Sequence, residues 1–228
     1  MAVYDLEEQE KIEDLKAWWA LYGKYVSAGV TTLAVVVIGV QGWRWYQQSQ
    51  AQKASVLYQA VSQAAHANDA AKAKDPASQL ASQYASTAYA PRGALLYAKA
   101  LYDSGDKAGA KAQLAWVVDH AGEDELKEIA RYRIAQIQLD DKQYDDALKT
   151  LDAKTDDAFA PLYADLRGDI LAAAGKNADA RSAYQTALAK LDAKSSYRGF
   201  VQAKLDALGG PLAPMEATAA PTAPTAGK

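Results

Sequence analysis

The stretch PRGALLYAKALYDSGDKAGAKAQLAWVV, residues 91–118, lies over PLYADLRGDILAAAGKNADARSAYQTAL, residues 161–188, without a gap. Pro91/Pro161, Ala94/Ala164, Leu96/Leu166, Leu101/Leu171, Gly105/Gly175, Ala108/Ala178 and Ala110/Ala180 are identical. Each proline suits the start of a helix, where its missing N–H is not needed. Each glycine suits the end of that helix, where a left-handed backbone is required. The recurring alanines permit close helix–helix approach. The two stretches therefore read as copies of one helix–turn–helix unit.

A middle copy fits the same register. In IARYRIAQIQLDDKQYDDALKTLDAK, residues 129–154, Ala147 takes the place of Ala110 and Ala180. Steps near 34 residues, with small residues at the eighth and twentieth places, resemble tetratricopeptide repeats. The eighth place holds Ala98, Ala135 and Gly168, the twentieth Ala110, Ala147 and Ala180, and the twenty-fourth the bulky Leu114, Leu151 and Tyr184. The usual Trp at the fourth place and the closing Pro are missing throughout. An irregular helical bundle made of the same helix pairs is the competing reading. From residue 48 to residue 208 apolar residues recur at three- and four-residue spacing, with no run of alternating β-branched residues. The expected fold is all-α: a tetratricopeptide-like helical repeat solenoid over 47–208. Helices of about 12–18 residues are expected there, joined by short turns. Residues 48–89 are expected to form a divergent helix pair, with its turn at Asp75-Pro76.

Toward the N-terminus, YVSAGVTTLAVVVIGVQG, residues 25–42, carries no charge. Trp18, Trp19, Tyr22 and Tyr25 crowd its start, and Trp43, Trp45 and Tyr46 its end, so four of the five tryptophans flank one apolar run. Aromatic rings with a polar edge collect at the headgroup level, so Trp18, Trp19, Tyr22, Trp43, Trp45 and Tyr46 read as two membrane-interface belts around a transmembrane helix over 25–46. A buried core helix seldom carries such belts. A cleavable signal sequence would follow a shorter, less acidic segment than 1–24. The chain has no Cys to carry a lipid. An uncleaved single-pass type II anchor is the expectation. The size asymmetry around the span puts residues 1–24 in the cytosol and the larger part outside it. Residues 1–24 form an amphipathic segment with Leu6, Ile12, Leu15, Trp19 and Tyr22 on one face. It is suited to lie along the membrane surface or to dock a cytosolic partner. Beyond the repeats, residues 209–228 are rich in Pro, Ala and Thr, a composition expected to remain disordered.

The net charge of −3 resides in residues 1–24; the rest of the chain is neutral. So neutral a domain offers no long-range attraction to nucleic acid. With no Cys, disulfides and thiolate chemistry are excluded. His66 and His120 stand alone in helical stretches, and the acidic pairs Asp140-Asp141, Asp145-Asp146 and Asp156-Asp157 read as caps and solvated turns. No phosphate loop, nucleophile elbow or metal motif is present, so neither an enzyme nor a cofactor is expected. Instead, the first helices of the units supply a concave, protein-binding face. The register from Pro91 and Pro161 places Arg92, Leu95, Lys99, Tyr102, Asp165 and Asp169 on it, and the middle unit adds Tyr132 and Gln136. That mixture suits extended polypeptide or a partner helix.

The N-terminal string YDLEEQEKIEDLKAWWALYGK, the span after it, the closing GWRWYQQ and the repeat motif DLRGDILAAAGKNADARSAY together resemble the YfgM family, over residues 4–208. That resemblance implies an ancillary subunit of the bacterial SecYEG translocon. The subunit would be anchored in the inner membrane, with its N-terminus cytosolic and its repeat domain periplasmic. It further implies association with the periplasmic chaperone PpiD, contact with membrane lipid, and a role in passing emerging or unfolded polypeptides to periplasmic chaperones. The Pro/Ala/Thr tail departs from members that end soon after the last helix. A membrane-tethered repeat scaffold for envelope protein complexes unrelated to secretion is the alternative reading.

Overall fold

The computed structural model describes residues 3–153 and 155–209, and among these the regular secondary structure is entirely α-helical. The expected tail lies, from residue 210 on, outside the described residues. The chain divides into two compact units, one up to Val56 and one from Leu57.

The first unit is the greater part of α1, Val3–His66, a helix of 64 residues. It contains a window of 18 residues with mean hydropathy 1.6, none of it buried. Val30, Leu33, Val35, Val36 and Ile38 all face outward. An apolar helix left exposed in this way suits a surrounding of lipid. Residues 25–46 span about 33 Å at the helical rise, enough for a hydrocarbon core of about 30 Å. Two hydroxyls inside the run satisfy themselves: Ser27 Oγ donates to the Gly23 carbonyl at 2.7 Å and Thr32 Oγ1 to that of Ala28 at 2.9 Å. The aromatics cluster at both edges. Trp18 meets Trp19 and Tyr22 at 6.3 and 5.7 Å between ring centroids, and Trp43 meets Tyr46 at 5.9 Å.

The second unit opens with the last turns of α1, Leu57–His66, and continues through α2 (Ala70–Gln83), α3 (Tyr89–Asp103), α4 (Lys107–His120), α5 (Asp124–Asp140), α6 (Tyr144–Leu151), α7 (Ala160–Ala173), α8 (Asn177–Lys190) and α9 (Tyr197–Ala207). The pairs α3/α4, α5/α6 and α7/α8 are the three copies read from the sequence. From α2 onward each helix packs on the next, and α5 additionally touches both α3 and α7, so the first helices stand side by side. The small eighth- and twentieth-place residues are the contact points: Ala110, Ala135, Ala147 and Ala180 are fully buried. Gly105 and Gly175 have φ of +90° and +76° just beyond α3 and α7, where a side chain would be strained.

Three details differ from expectation. Pro76 lies inside α2 rather than at a turn. The bend falls earlier, where Asn68 takes φ +53° and the Asp69 carboxylate caps α2 by accepting the Lys72 N–H at 3.0 Å. Pro91 and Pro161 are the third and second helical residues of α3 and α7, not the first. The first four N–H groups of a helix have no intrahelical partner, so proline fits there equally well. α6 has only 8 residues, shorter than the length expected.

Candidate functional site

α3, α5 and α7 border a cavity of about 490 Å³. Its floor is apolar, with Ala98, Leu114, Ile137 and Leu166; its walls carry Lys99, Tyr102, Asp103, Arg133, Gln136, Asp140 and Asp169. Four of the eight residues expected on the concave face meet here: Lys99, Tyr102, Gln136 and Asp169. The helical repeat explains the convergence. Lys99 and Tyr102 are three apart on α3, and Arg133, Gln136, Ile137 and Asp140 form one stripe of α5.

The other four lie elsewhere. Arg92 is at the start of α3, donating to Glu123 through Nη1 at 2.9 Å and Nη2 at 2.7 Å. This pairing raises the guanidinium pKa above its ordinary value. Tyr132 points toward the next unit, packing against Tyr163 at 6.1 Å between centroids beside the core of Ala135, Leu151 and Ile170. Burial is the main cause that pushes its phenol up to about 12. Leu95 is buried as well.

Asp165 differs most from its expected exposed position. It is 1% exposed. One of its oxygens accepts the Tyr197 hydroxyl at 2.6 Å, and both accept the Lys204 ammonium, at 3.0 and 2.9 Å. Lys204 also reaches Asp169 at 2.7 Å, and Asp169 accepts the Tyr184 hydroxyl at 2.8 Å. Two carboxylates, one ammonium and two phenols thus lock α7, α8 and α9 together. Burial first, and then the hydrogen bond to a carboxylate, raises both phenols well above the ordinary tyrosine range. The repeat register put Asp165 correctly on the first-helix face. It did not reveal that α9 folds over that end and covers it.

Arg133, Asp103 and Asp140 line the cavity and escaped the sequence reading. Arg133 was discoverable: it lies three residues before Gln136 and seven before Asp140, on their stripe.

Elsewhere, the isolated histidines and acidic pairs serve the helices. His120 stacks on Trp116 at 4.6 Å, and its Nδ1 lies 2.9 Å from the Trp116 carbonyl. Asp141 receives Lys107 at 2.9 Å and Lys111 at 3.3 Å, tying α4 to the α5–α6 turn. These contacts, Lys107 first, hold its carboxyl below the usual value. Asp140 accepts the Tyr102 hydroxyl, linking α3 to α5 across the groove.

A tetratricopeptide repeat-like domain family matches residues 16–210. The ancillary SecYEG translocon subunit of Neisseria gonorrhoeae is 30% identical over 207 residues, covering 89% of this chain and 98% of that protein. The chain belongs to this family. Its member from Escherichia coli K12 is 29% identical over 208 residues, covering 91% and 99%. The Haemophilus influenzae member is 30% identical over 187 residues, covering 81% and 90%. No solved structure shows significant similarity. The family match begins at residue 16, within α1, and so takes in the apolar span together with the repeats.

Proposed function

We propose that this chain is a non-enzymatic adaptor of the bacterial inner membrane. Residues 25–46 cross the bilayer once, 1–24 stay in the cytosol, and the repeat domain over 47–208 stands in the periplasm. There it associates with the SecYEG translocon and passes emerging polypeptides to periplasmic chaperones, PpiD among them. One observation carries the reading: likeness to ancillary translocon subunits extends along 89% of this chain and 98% of the relative, so anchor and repeat domain are shared as one unit. The groove of α3, α5 and α7 adds a physical reason. An apolar floor with polar walls suits a segment of polypeptide. Tethering raises the effective concentration of such a weak site beside the membrane.

The test has two arms. Alkaline phosphatase fused after residue 208 is expected to be active, because it folds only outside the cytosol; an inactive fusion refutes the topology. Photocrosslinking in intact membranes is expected to join the chain to translocon subunits. Exchanging Tyr4–Tyr46 for an unrelated single-span anchor should lower that yield while the repeat domain stays folded. Undiminished yield would reduce the N-terminal segment to a tether. Crosslinks to envelope proteins without any to the translocon would replace the reading with that of a general scaffold.

A further inference from the structure

Two charged side chains of the groove form no ion pair among the described residues, Arg133 and Asp140, and of these Arg133 is the half-buried one. Two basic and three acidic side chains line it. Lys99 is held by Asp103 at 2.5 Å. Asp169 is held by Lys204 and by the Tyr184 hydroxyl. Asp140 accepts the Tyr102 hydroxyl. Arg133 forms no ion pair among the described residues. Among the described residues its one hydrogen bond runs from Nη1 to the Leu95 carbonyl at 3.3 Å, which leaves most of its donors unused. It is half-buried. Desolvation, with no carboxylate to offset it, lowers its pKa. Beside it the Gln136 side chain is exposed and also unpartnered among the described residues.

A half-desolvated guanidinium is costly to keep unpaired, and it gains most from a carboxylate, which it can meet with two parallel N–H···O bonds. Asp140, on the same stripe, is seven residues away, about 10 Å along the helix. It forms no ion pair with Arg133 among the described residues, its own hydrogen bond being to the Tyr102 hydroxyl.

We infer that the groove binds a polypeptide segment that presents an acidic side chain to Arg133 and an apolar side chain to the floor formed by Ala98, Leu114, Ile137 and Leu166. The inference rests on the reading that the repeats bind polypeptide, and it assigns that polypeptide its chemistry. Clients or chaperone segments with an acidic residue next to an apolar one are selected, and basic segments are disfavoured. Arg133 is the residue that sets the preference. Lys99, already paired with Asp103, contributes little.

The experiment uses the full chain in detergent micelles and fluorescent peptides that share one apolar frame but differ at a central Glu, Gln or Lys. Fluorescence anisotropy is expected to show the Glu peptide binding about tenfold or more tightly than the other two, the range of one charge-assisted hydrogen bond. Arg133→Met should abolish that preference, and Arg133→Lys should restore part of it. Lys99→Gln should alter Glu-peptide affinity by no more than about threefold, as for an exposed pair. Thermal unfolding of each variant separates loss of binding from loss of fold. Binding of all three peptides with equal affinity, or a Glu preference that survives in Arg133→Met, overturns the inference and leaves the polypeptide-binding reading standing. Failure of every peptide to bind overturns both. Self-association that disappears in Arg133→Met, without peptide binding, assigns the groove to a second copy and also overturns it.

Discussion

Adding a single methyl group to Gly168 tests the packing logic of the repeat domain. Gly168 lies in the middle of α7, where alanine alone would improve helix propensity by about 1 kcal/mol. Here, however, a Cβ would stand 2.4 Å from Tyr184 Cε1, 2.5 Å from Cδ1 and 2.9 Å from Cζ. The ring has little room to retreat. It is 3% exposed, its hydroxyl is bonded to Asp169, and the Lys204 ammonium sits 5.7 Å from its centroid. Overpacking costs about 1–3 kcal/mol, and stretching the hydroxyl bond about 0.5–1.5 kcal/mol more. After the propensity gain, Gly168→Ala should destabilise by about 1–3 kcal/mol. For a domain of this size that lowers Tm by roughly 3–10 °C. The control is Gly199→Ala in α9, where nothing lies within 4 Å of the added atom; it should leave Tm unchanged or raise it by about 1–3 °C. A Tyr184→Leu background recreates the Ala/Leu combination of the other two units and should remove most of the penalty, seen as coupling in a double-mutant cycle. Thermal unfolding followed by circular dichroism provides the numbers. A neutral Gly168→Ala, or one equally harmful with Leu at 184, would refute the reasoning.

Two further outcomes are expected. Burial, and next the charge of Glu128, push the Tyr163 phenol up to about 12. A raised pKa favours the protonated fold, so its contribution is complete below the unfolded value of about 10 and lost as pH rises through 12; two units correspond to about 3 kcal/mol. Tyr163→Phe should therefore flatten the decline in urea-unfolding midpoint over that window, and an unchanged slope would exclude Tyr163 as its source. Asp165→Ala leaves Lys204 with Asp169 alone and Tyr197 without an acceptor. Because Lys204 is partly exposed, the cost should fall near the lower end for broken buried pairs, about 2–3 kcal/mol. Hydrogen exchange should then quicken in Tyr197–Ala207 while α3 and α4 keep their protection; uniform loss across the domain would contradict a local lock.

The pairing of the eighth and twenty-fourth places shows what could be read from one dimension and what could not. Ala98 with Leu114, Ala135 with Leu151 and Gly168 with Tyr184 were visible as recurring small and bulky residues, because a helix–turn–helix repeat places equivalent positions in equivalent contacts. Periodicity likewise determined the all-α class, and a charge-free run bounded by aromatics marked α1 as a helix long and apolar enough to cross a membrane. These properties depend on local period and composition, which a chain carries whatever its partners. That Gly168 is glycine because its own unit has a ring where the others have leucine required the distance between α7 and α8. The site was legible to the same depth. Register alone found Lys99, Tyr102, Gln136 and Asp169, since residues three and four apart share a helix face. It could not show that α9 brings Lys204 and Tyr197 across Asp165 and removes it from the surface, nor that Arg133 finds no ion pair among the described residues. Both depend on side chains from helices far apart in sequence, and only the tertiary structure decides which carboxylate finds which cation and which cation finds none.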